Sequence, residues 1–164
     1  MDIIDFTVYK GKSVYSHRPV IKMVVDIGKY EDIPTKDVPG FNDRLIAAFP
    51  GVKEDVCGLG YPGGFLERLR EGTYLGHVLE HVILDLQSTL GFDVNYGKTR
   101  FLRPPSTYYL IFEYKEEICA LECAKVAAFV LDCFLEGEDV DITKFIGYLE
   151  RIVMETGLGP STAA

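Results

Sequence analysis

Apolar segments typical of strands and apolar segments typical of helices follow one another along this chain, and their order limits the folds that the chain can adopt. Val20–Ile27 is rich in β-branched residues, and Thr107–Tyr114 is rich in β-branched and aromatic ones, so both segments predict strands. Helices are predicted at Phe41–Phe49, Phe65–Arg70, Thr73–Leu90 and Glu117–Leu135, and from Asp141 onward. The order strands, helices, strand, helices favours an α+β fold over a regular βαβ winding. We therefore predict a single α+β domain with a small mixed or antiparallel sheet packed with about four helices.

Several segment ends carry their own signals. Thr73 is the predicted N-cap of the long third helix, and Gly91 is its predicted stop. Asp141 is the predicted N-cap of the last helix. Tyr96–Arg100 is polar and is predicted to be a loop.

Charge and hydropathy exclude several classes of protein. The 164 residues contain 17 Lys+Arg and 25 Asp+Glu, which gives a formal net charge of −8. This balance disfavours binding to nucleic acid, because phosphate neutralisation needs an excess of basic residues, and it favours a cationic ligand. No apolar run reaches the roughly 18 residues of a membrane span. Met1–Asp5 carries acids where a signal peptide carries Lys or Arg, so we expect a cytoplasmic protein without membrane contact.

The four cysteines are expected to be reduced thiols, because no export signal accompanies them. Cys119 and Cys123 are spaced i, i+4 and could bind a metal, but no second cysteine pair completes a four-ligand set. Buried, inert thiols are the favoured interpretation.

Two glycine motifs resemble nucleotide-binding loops only as strings. Gly58-x-Gly60-x-x-Gly63 follows a poor strand and is interrupted by Pro62, so it lacks the context of a dinucleotide site. Gly11-Lys12-Ser13 resembles the end of a phosphate-binding loop, but Phe6 stands where the first glycine should be. We predict no nucleotide site in this chain.

The chemically informative motif is H-x-x-E-H, formed by His77, Glu80 and His81. At 100° per residue these side chains fall on the side of the helix opposite its apolar stripe, so they are predicted to face away from the core. Imidazoles at i and i+4 can bind one zinc ion, and Glu80 can accept a proton from a metal-bound water, as in inverted zinc proteases. A solvated helix face that carries two His and one Glu is an equally weighted alternative.

Two histidines leave a catalytic zinc one protein ligand short. Downstream candidates for the third ligand are Glu113, Glu116, Glu117 and Glu122. Glu122 stands out within an apolar helix, although it shares a narrow polar stripe and could be a plain surface residue. His17 could be a fourth ligand, a substrate contact or a structural residue.

Longer stretches of the chain resemble the N-terminal domain of cyanophycin synthetases. The matching stretches are Y-S-H-R-P-V-I-K-M-V-V-D-I-G from Tyr15, P-G-F-N-D-R-L from Pro39, L-G-Y-P-G-G-F-L-E-R-L-R-E-G-T-Y-L-G-H-V-L-E-H-V from Leu59, D-V-N-Y-G-K-T-R from Asp93, and the ending G-L-G-P-S-T-A-A. The resemblance covers nearly the whole chain.

The resemblance implies a part of a larger enzyme. Full-length members polymerise Asp and Arg with ATP into cyanophycin, a poly-aspartate backbone with Arg on each side chain, using a central ATP-grasp domain and a C-terminal Mur-ligase-like domain. Residues 1–160 would be the N-terminal domain and residues 161–164 the start of the linker. ATP and magnesium would then belong only to the other domains, and the full-length protein is expected to be a homo-oligomer.

For this domain the resemblance implies cyanophycin binding and, in some members, a metal-dependent hydrolase that cuts the polymer into short primers. Carried over by motif, His77 and His81 would be zinc ligands, Glu122 the third ligand and Glu80 the general base. Substrate contacts would be His17, Arg18, Lys98 and Arg100. The alternative is a non-catalytic module that binds the polymer beside the ligase sites.

Overall fold

The computed structural model describes residues 1–102 and 106–157. Four strands form one antiparallel sheet in the order β1-β2-β4-β3, so β1 and β3 are its edges. The strands are β1 (Asp2–Tyr9), β2 (Val20–Asp26), β3 (Gly97–Leu102) and β4 (Thr107–Glu113). The predicted α+β class is confirmed, and the sheet is antiparallel rather than mixed.

Five α-helices accompany the sheet in the described part of the chain. They are α1 (Phe41–Ala48), α2 (Gly64–Glu71), α3 (Leu75–Thr89), α4 (Glu117–Leu135) and α5 (Ile142–Thr156). Short 3-10 turns lie between β2 and α1 and between α1 and α2, among them Pro50–Lys53 and Cys57–Leu59. No helix within residues 1–102 and 106–157 has the length and apolarity to cross a bilayer.

Alternation along the central strands builds the core on one face of the sheet. Met23 lies opposite Leu110 in the β2–β4 register, and both side chains are fully buried. Their neighbours Lys22 and Tyr109 are only half-buried, as expected for the opposite face of a pleated sheet. Helix α3 packs against β3, β4 and α4, so its apolar stripe joins the sheet core to the helical layer.

Two predictions about segment ends are wrong. Thr73 does not cap the third helix: α3 begins at Leu75 after Tyr74, and no side chain caps it. Tyr96–Arg100 is not a loop, because Gly97–Leu102 pairs with β4. The polar residues of this segment suit an edge strand, which needs apolar side chains on one face only.

The other predicted elements lie within two residues of those observed. Asp141 caps α5 as predicted, since its Oδ1 accepts a hydrogen bond from the Thr143 N–H. Gly91 adopts the left-handed conformation that ends α3. The predicted domain end at residue 160 and the linker 161–164 lie outside the described residues.

Candidate metal centre

Helix α3 is covered on both sides, and this changes the setting of the H-x-x-E-H motif. Glu80 and His81 are 6% and 5% exposed, so the alternative interpretation of this side as a solvated helix face is wrong for these two residues. On the side of the motif, β3 contacts Glu80 through Gly97 and Thr99, and Gly51 of the turn Pro50–Lys53 packs against Asp85. The Phe65 ring stacks on His81 with ring centroids 3.9 Å apart. The motif therefore lies in a protein-lined site rather than on an exposed helix face.

Three metal-ligand side chains converge at this site: Cys57, His77 and His81. The two imidazole Nε2 atoms are 3.0 Å apart, and Cys57 Sγ lies 3.4 Å from His77 Nε2. Tetrahedral zinc ligands at usual Zn–N and Zn–S bond lengths are about 3.3–3.6 Å apart. Two of the three donor pairs are therefore close to the spacing of zinc ligands, and all three donors lie within 4.8 Å of one another.

The outer nitrogens of both histidines have oxygen partners. His81 Nδ1 lies 2.6 Å from Asp55 Oδ2, and His77 Nδ1 lies 2.8 Å from Thr73 Oγ1. A carboxylate can only accept, so His81 Nδ1 carries the donated hydrogen, and the hydroxyl can accept in the same way from His77. In the neutral imidazoles this leaves both Nε2 lone pairs for a metal, as at many protein zinc sites.

Asp55 also fixes the loop that carries the sulfur ligand. Its Oδ1 accepts a hydrogen bond of 3.0 Å from the Cys57 N–H. Cys57 has a φ of 50°, in the left-handed region that non-glycine residues seldom occupy. This strained conformation aims the thiol at α3, so one carboxylate holds both a histidine ligand and the turn that presents the cysteine.

The charges at the site are complementary without any metal. Burial disfavours the Cys57 thiolate, but hydrogen bonds with His77 and His81 outweigh it and lower the pKa of the thiol to about 6. Burial also disfavours charged His81, but its hydrogen bonds to Asp55 and Cys57 raise its pKa to about 9. The sulfur is thus held as the thiolate, the form in which cysteine binds metals.

Glu80 lies next to this group, on the side facing β3. Thr99 Oγ1 donates a hydrogen bond to Glu80 Oε2. Gly97 packs against the same carboxylate so closely that a Cβ there would lie 2.7 Å from Glu80 Cδ. Burial raises the pKa of Glu80, although Thr99 and the two histidines act in the opposite direction. A buried carboxylate with a raised pKa is suited to taking up and returning a proton.

A cavity of about 1330 Å³ opens from the site. Its lining contains five carboxylates besides Glu80 and one lysine, Lys98. The five are Glu31, Asp32, Glu54, Asp55 and Asp85. The Asp85 side chain has no hydrogen bond or ion pair within the described residues, and burial together with the charge of Asp55 raises its pKa to about 6. Acidic side chains therefore predominate in the lining of this cavity.

The four predicted third-ligand candidates make other contacts. Glu122 accepts hydrogen bonds from Lys125 Nζ at 2.6 Å and from the Tyr148 hydroxyl at 2.9 Å, between α4 and α5. Glu113 pairs with Arg18 and Lys115, Glu116 caps α4, and Glu117 pairs with Lys10. The structure thus does not bring Glu122 into the group around the histidines, and its role as a ligand stays a prediction.

The predicted substrate contacts are distributed around the site. Arg18 donates hydrogen bonds of 2.7 Å to Asn95 Oδ1 and to buried Glu113 Oε2, and its role as a substrate contact stays a prediction. Lys98 lines the cavity, Arg100 is exposed on β3, and His17 is exposed beside Arg18.

Sequence reasoning missed Cys57, Asp55 and Thr99. The interpretation of the cysteines as buried and inert holds for the burial of Cys119 and Cys123, whose sulfurs are 3.9 Å apart in the core. Cys57 is half-buried and part of the metal-ligand group. The available signal was a cysteine between an acidic residue and a glycine-rich turn, 20 positions before His77.

Known proteins are similar to this chain along its whole length. Residues 22–136 match the family described as "Cyanophycin synthase-like N-terminal domain". A "Cyanophycin synthetase" from Synechocystis sp. is 33% identical over 99% of this chain, and one from Crocosphaera subtropica is 32% identical over 99%. One from Trichormus variabilis is 31% identical over 100%. The chain spans 19% of the length of these relatives.

Proposed function

This chain belongs to the family of cyanophycin synthase-like N-terminal domains, and we propose that it is a zinc-dependent hydrolase that cuts the peptide backbone of cyanophycin. The zinc is held by Cys57, His77 and His81, with Cys57 in the place that the resemblance assigns to Glu122. Glu80 is the general base.

One observation carries the proposal: three donor atoms of the types zinc prefers converge while the outer nitrogens of both histidines have oxygen partners. An exposed helix face with two histidines and a glutamate would show neither feature. A structural zinc site has four protein ligands, whereas catalytic sites have three. The group of three supports a catalytic site.

The protein groups around the metal ligands have distinct roles. When bound, zinc supplies the Lewis acidity that polarises a peptide carbonyl and makes water more acidic. Glu80 takes a proton from the attacking water and returns it to the leaving amine. Thr99 fixes the Glu80 carboxylate by its hydrogen bond, and Phe65 holds the His81 ring.

The acidic cavity supports a substrate with cationic side chains. Cyanophycin carries an arginine on each aspartate, and the carboxylates of the lining attract guanidinium groups. In the longer protein the short products would serve as primers for polymerisation by the ATP-grasp and Mur-ligase-like domains, and the full-length synthetase would be a homo-oligomer.

The test is to incubate the zinc-loaded chain with cyanophycin and to follow the product masses. We expect shortened polymer from the unaltered chain, no shortening by Glu80→Gln, and loss of both zinc and cleavage in Cys57→Ser. Glu122→Gln is the matched control and should keep both zinc and cleavage. Shortening that Glu80→Gln retains, or zinc that is lost in Glu122→Gln and kept in Cys57→Ser, would contradict the proposal.

A non-catalytic polymer-binding module is the second candidate. The observation in its favour is the acidic lining, which can attract arginine groups without any metal. Polymer binding that survives both chelation and His77→Ala, without cleavage by the unaltered chain, would support this module over the hydrolase.

A further inference from the structure

Strand β3 leaves one side of its backbone free at the metal centre. Among the described residues 1–102 and 106–157 it is the last strand of the sheet and pairs only with β4. Tyr96, Gly97, Lys98, Thr99 and Phe101 all line the acidic cavity, so the cavity runs along this edge.

The hydrogen-bond register identifies the backbone groups that face outward. The Glu113 N–H donates to the Tyr96 carbonyl on the β3 side, whereas the Tyr114 N–H donates to the Pro19 carbonyl on the β2 side. Bonded pairs alternate in an antiparallel ladder, so Lys98, Arg100 and Leu102 direct their backbone groups toward β4. The backbone N–H and C=O groups of Gly97, Thr99 and Phe101 therefore point away from the sheet. Among residues 1–102 and 106–157, these groups have no hydrogen bond outside the ladder.

Two of these three residues also contact the proposed base. Thr99 donates its hydroxyl hydrogen to Glu80, and Gly97 packs against the same carboxylate. A chain that pairs with the free edge at Gly97 and Thr99 would therefore pass beside Glu80, which is adjacent in sequence to the ligand His81. An open strand edge binds extended peptides through their main-chain groups.

We propose that the substrate binds as a fifth strand on the free edge of β3, with its peptide backbone paired to Gly97, Thr99 and Phe101. This inference rests on the proposed function, because it assigns the binding mode of the peptide that the metal centre would cut. The occupant is an extended peptide with cationic side chains. Alternate side chains of an added strand point to the same face, so one set enters the acidic cavity. The poly-aspartate backbone of cyanophycin has the peptide N–H and C=O groups that this pairing requires.

In this pairing every second peptide N–H group of the ligand faces β3, and N-methylation of the ligand tests this alternation. The probes are short synthetic cyanophycin-like peptides with a single N-methyl group moved one position at a time, bound to the zinc-loaded Glu80→Gln chain to prevent cleavage. We expect affinity to fall about tenfold or more at every second position, because only alternate N–H groups face β3. Equal effects at neighbouring positions, or no binding of the unmodified peptide, would overturn the proposal.

A pair of variants tests the same edge from the protein side. Phe101→Pro and Phe101→Ala both remove the ring, but only proline removes the outward N–H, and neither change touches a ladder bond. We expect Phe101→Pro to bind the peptide about two- to tenfold more weakly than Phe101→Ala at equal zinc content. Equal affinities of two folded variants would contradict the pairing, and the N-methyl series decides the matter if the proline variant does not fold.

The outcomes separate this inference from the proposed function. A period-two pattern without cleavage by the unaltered chain would refute the hydrolase and support edge binding. Cleavage together with uniform tolerance of N-methyl groups would support the hydrolase and refute edge binding.

Discussion

Replacing Asp55 by asparagine should weaken zinc binding more than any other change outside the three ligands. The Asp55 carboxylate accepts a short hydrogen bond from buried His81 and a second one from the Cys57 N–H. Asparagine keeps the size of the side chain but removes its charge, so one ligand loses its charge-assisted bond. Loss of such an orienting partner weakens metal binding about 10- to 100-fold, or about 1.4–2.8 kcal/mol. Since the same residue also fixes the loop of Cys57, we expect the upper end of this range.

The assay is competition for zinc with a chromophoric chelator, supported by thermal unfolding. At free zinc 100-fold above the dissociation constant, the unaltered chain gains about 2.7 kcal/mol of stability, while a variant that binds 100-fold more weakly gains only about 0.4 kcal/mol. Asp85→Asn is the matched control, because Asp85 lies in the same cavity and carries the same charge without contacting a ligand. Equal zinc affinities of the two variants would refute the reasoning.

Three further changes test the surroundings of the site and the fold. Thr99→Val should slow cyanophycin cleavage about ten- to hundredfold by releasing Glu80, whereas Thr99→Ser should retain most of the rate in product-mass assays. Gly97→Ala should lower the free energy of unfolding in urea by about 1–3 kcal/mol, because the new methyl group meets Glu80, and unchanged stability would contradict this. Burial alone would raise the pKa of Glu113, but hydrogen bonds from Lys115 and Arg18 outweigh the effect of burial, so the pKa is lowered. The stability that this ionised Glu113 contributes is present above the usual glutamate pKa of about 4.3 and is lost as the pH falls through the lowered value. Glu113→Gln should therefore reduce the pH dependence of the free energy of unfolding at acidic pH, measured by urea titrations.

The sequence predicts the helices and the central strands well because each carries its own periodic pattern. The fully buried stripe of α3 includes Val78, Leu79 and Val82 at the spacing expected for one helix face. The edge strand β3 has no such pattern, because its pairing comes from β4 and not from the propensity of Gly97–Leu102. Local patterns therefore identify the elements that bury a face, and they fail where a neighbour imposes the structure.

The site shows the same division between local and distant effects. His77, Glu80 and His81 could be found because helical spacing places them together. Their burial could not be predicted from α3 alone, since Pro50–Lys53 and β3 cover that side of the helix. The resemblance and the apolar helix favour Glu122 as the third ligand, but in the structure Glu122 pairs with Lys125 and with Tyr148 of α5.

Cys57 illustrates why distant ligands escape sequence reasoning, and what they add. A single segment supplies Asp55, which holds His81, Cys57, whose sulfur faces His77, and Phe65, whose ring stacks on His81. A metal bound to Cys57 and the two histidines would tie this segment to α3, so binding energy would offset the strained backbone of Cys57. Ordering of this segment and metal binding would then be coupled, because each change that loosens the segment also displaces a ligand. By the same reasoning, Glu122, which pairs with Lys125 and Tyr148 between α4 and α5, would as a ligand leave the segment free and its conformation unexplained.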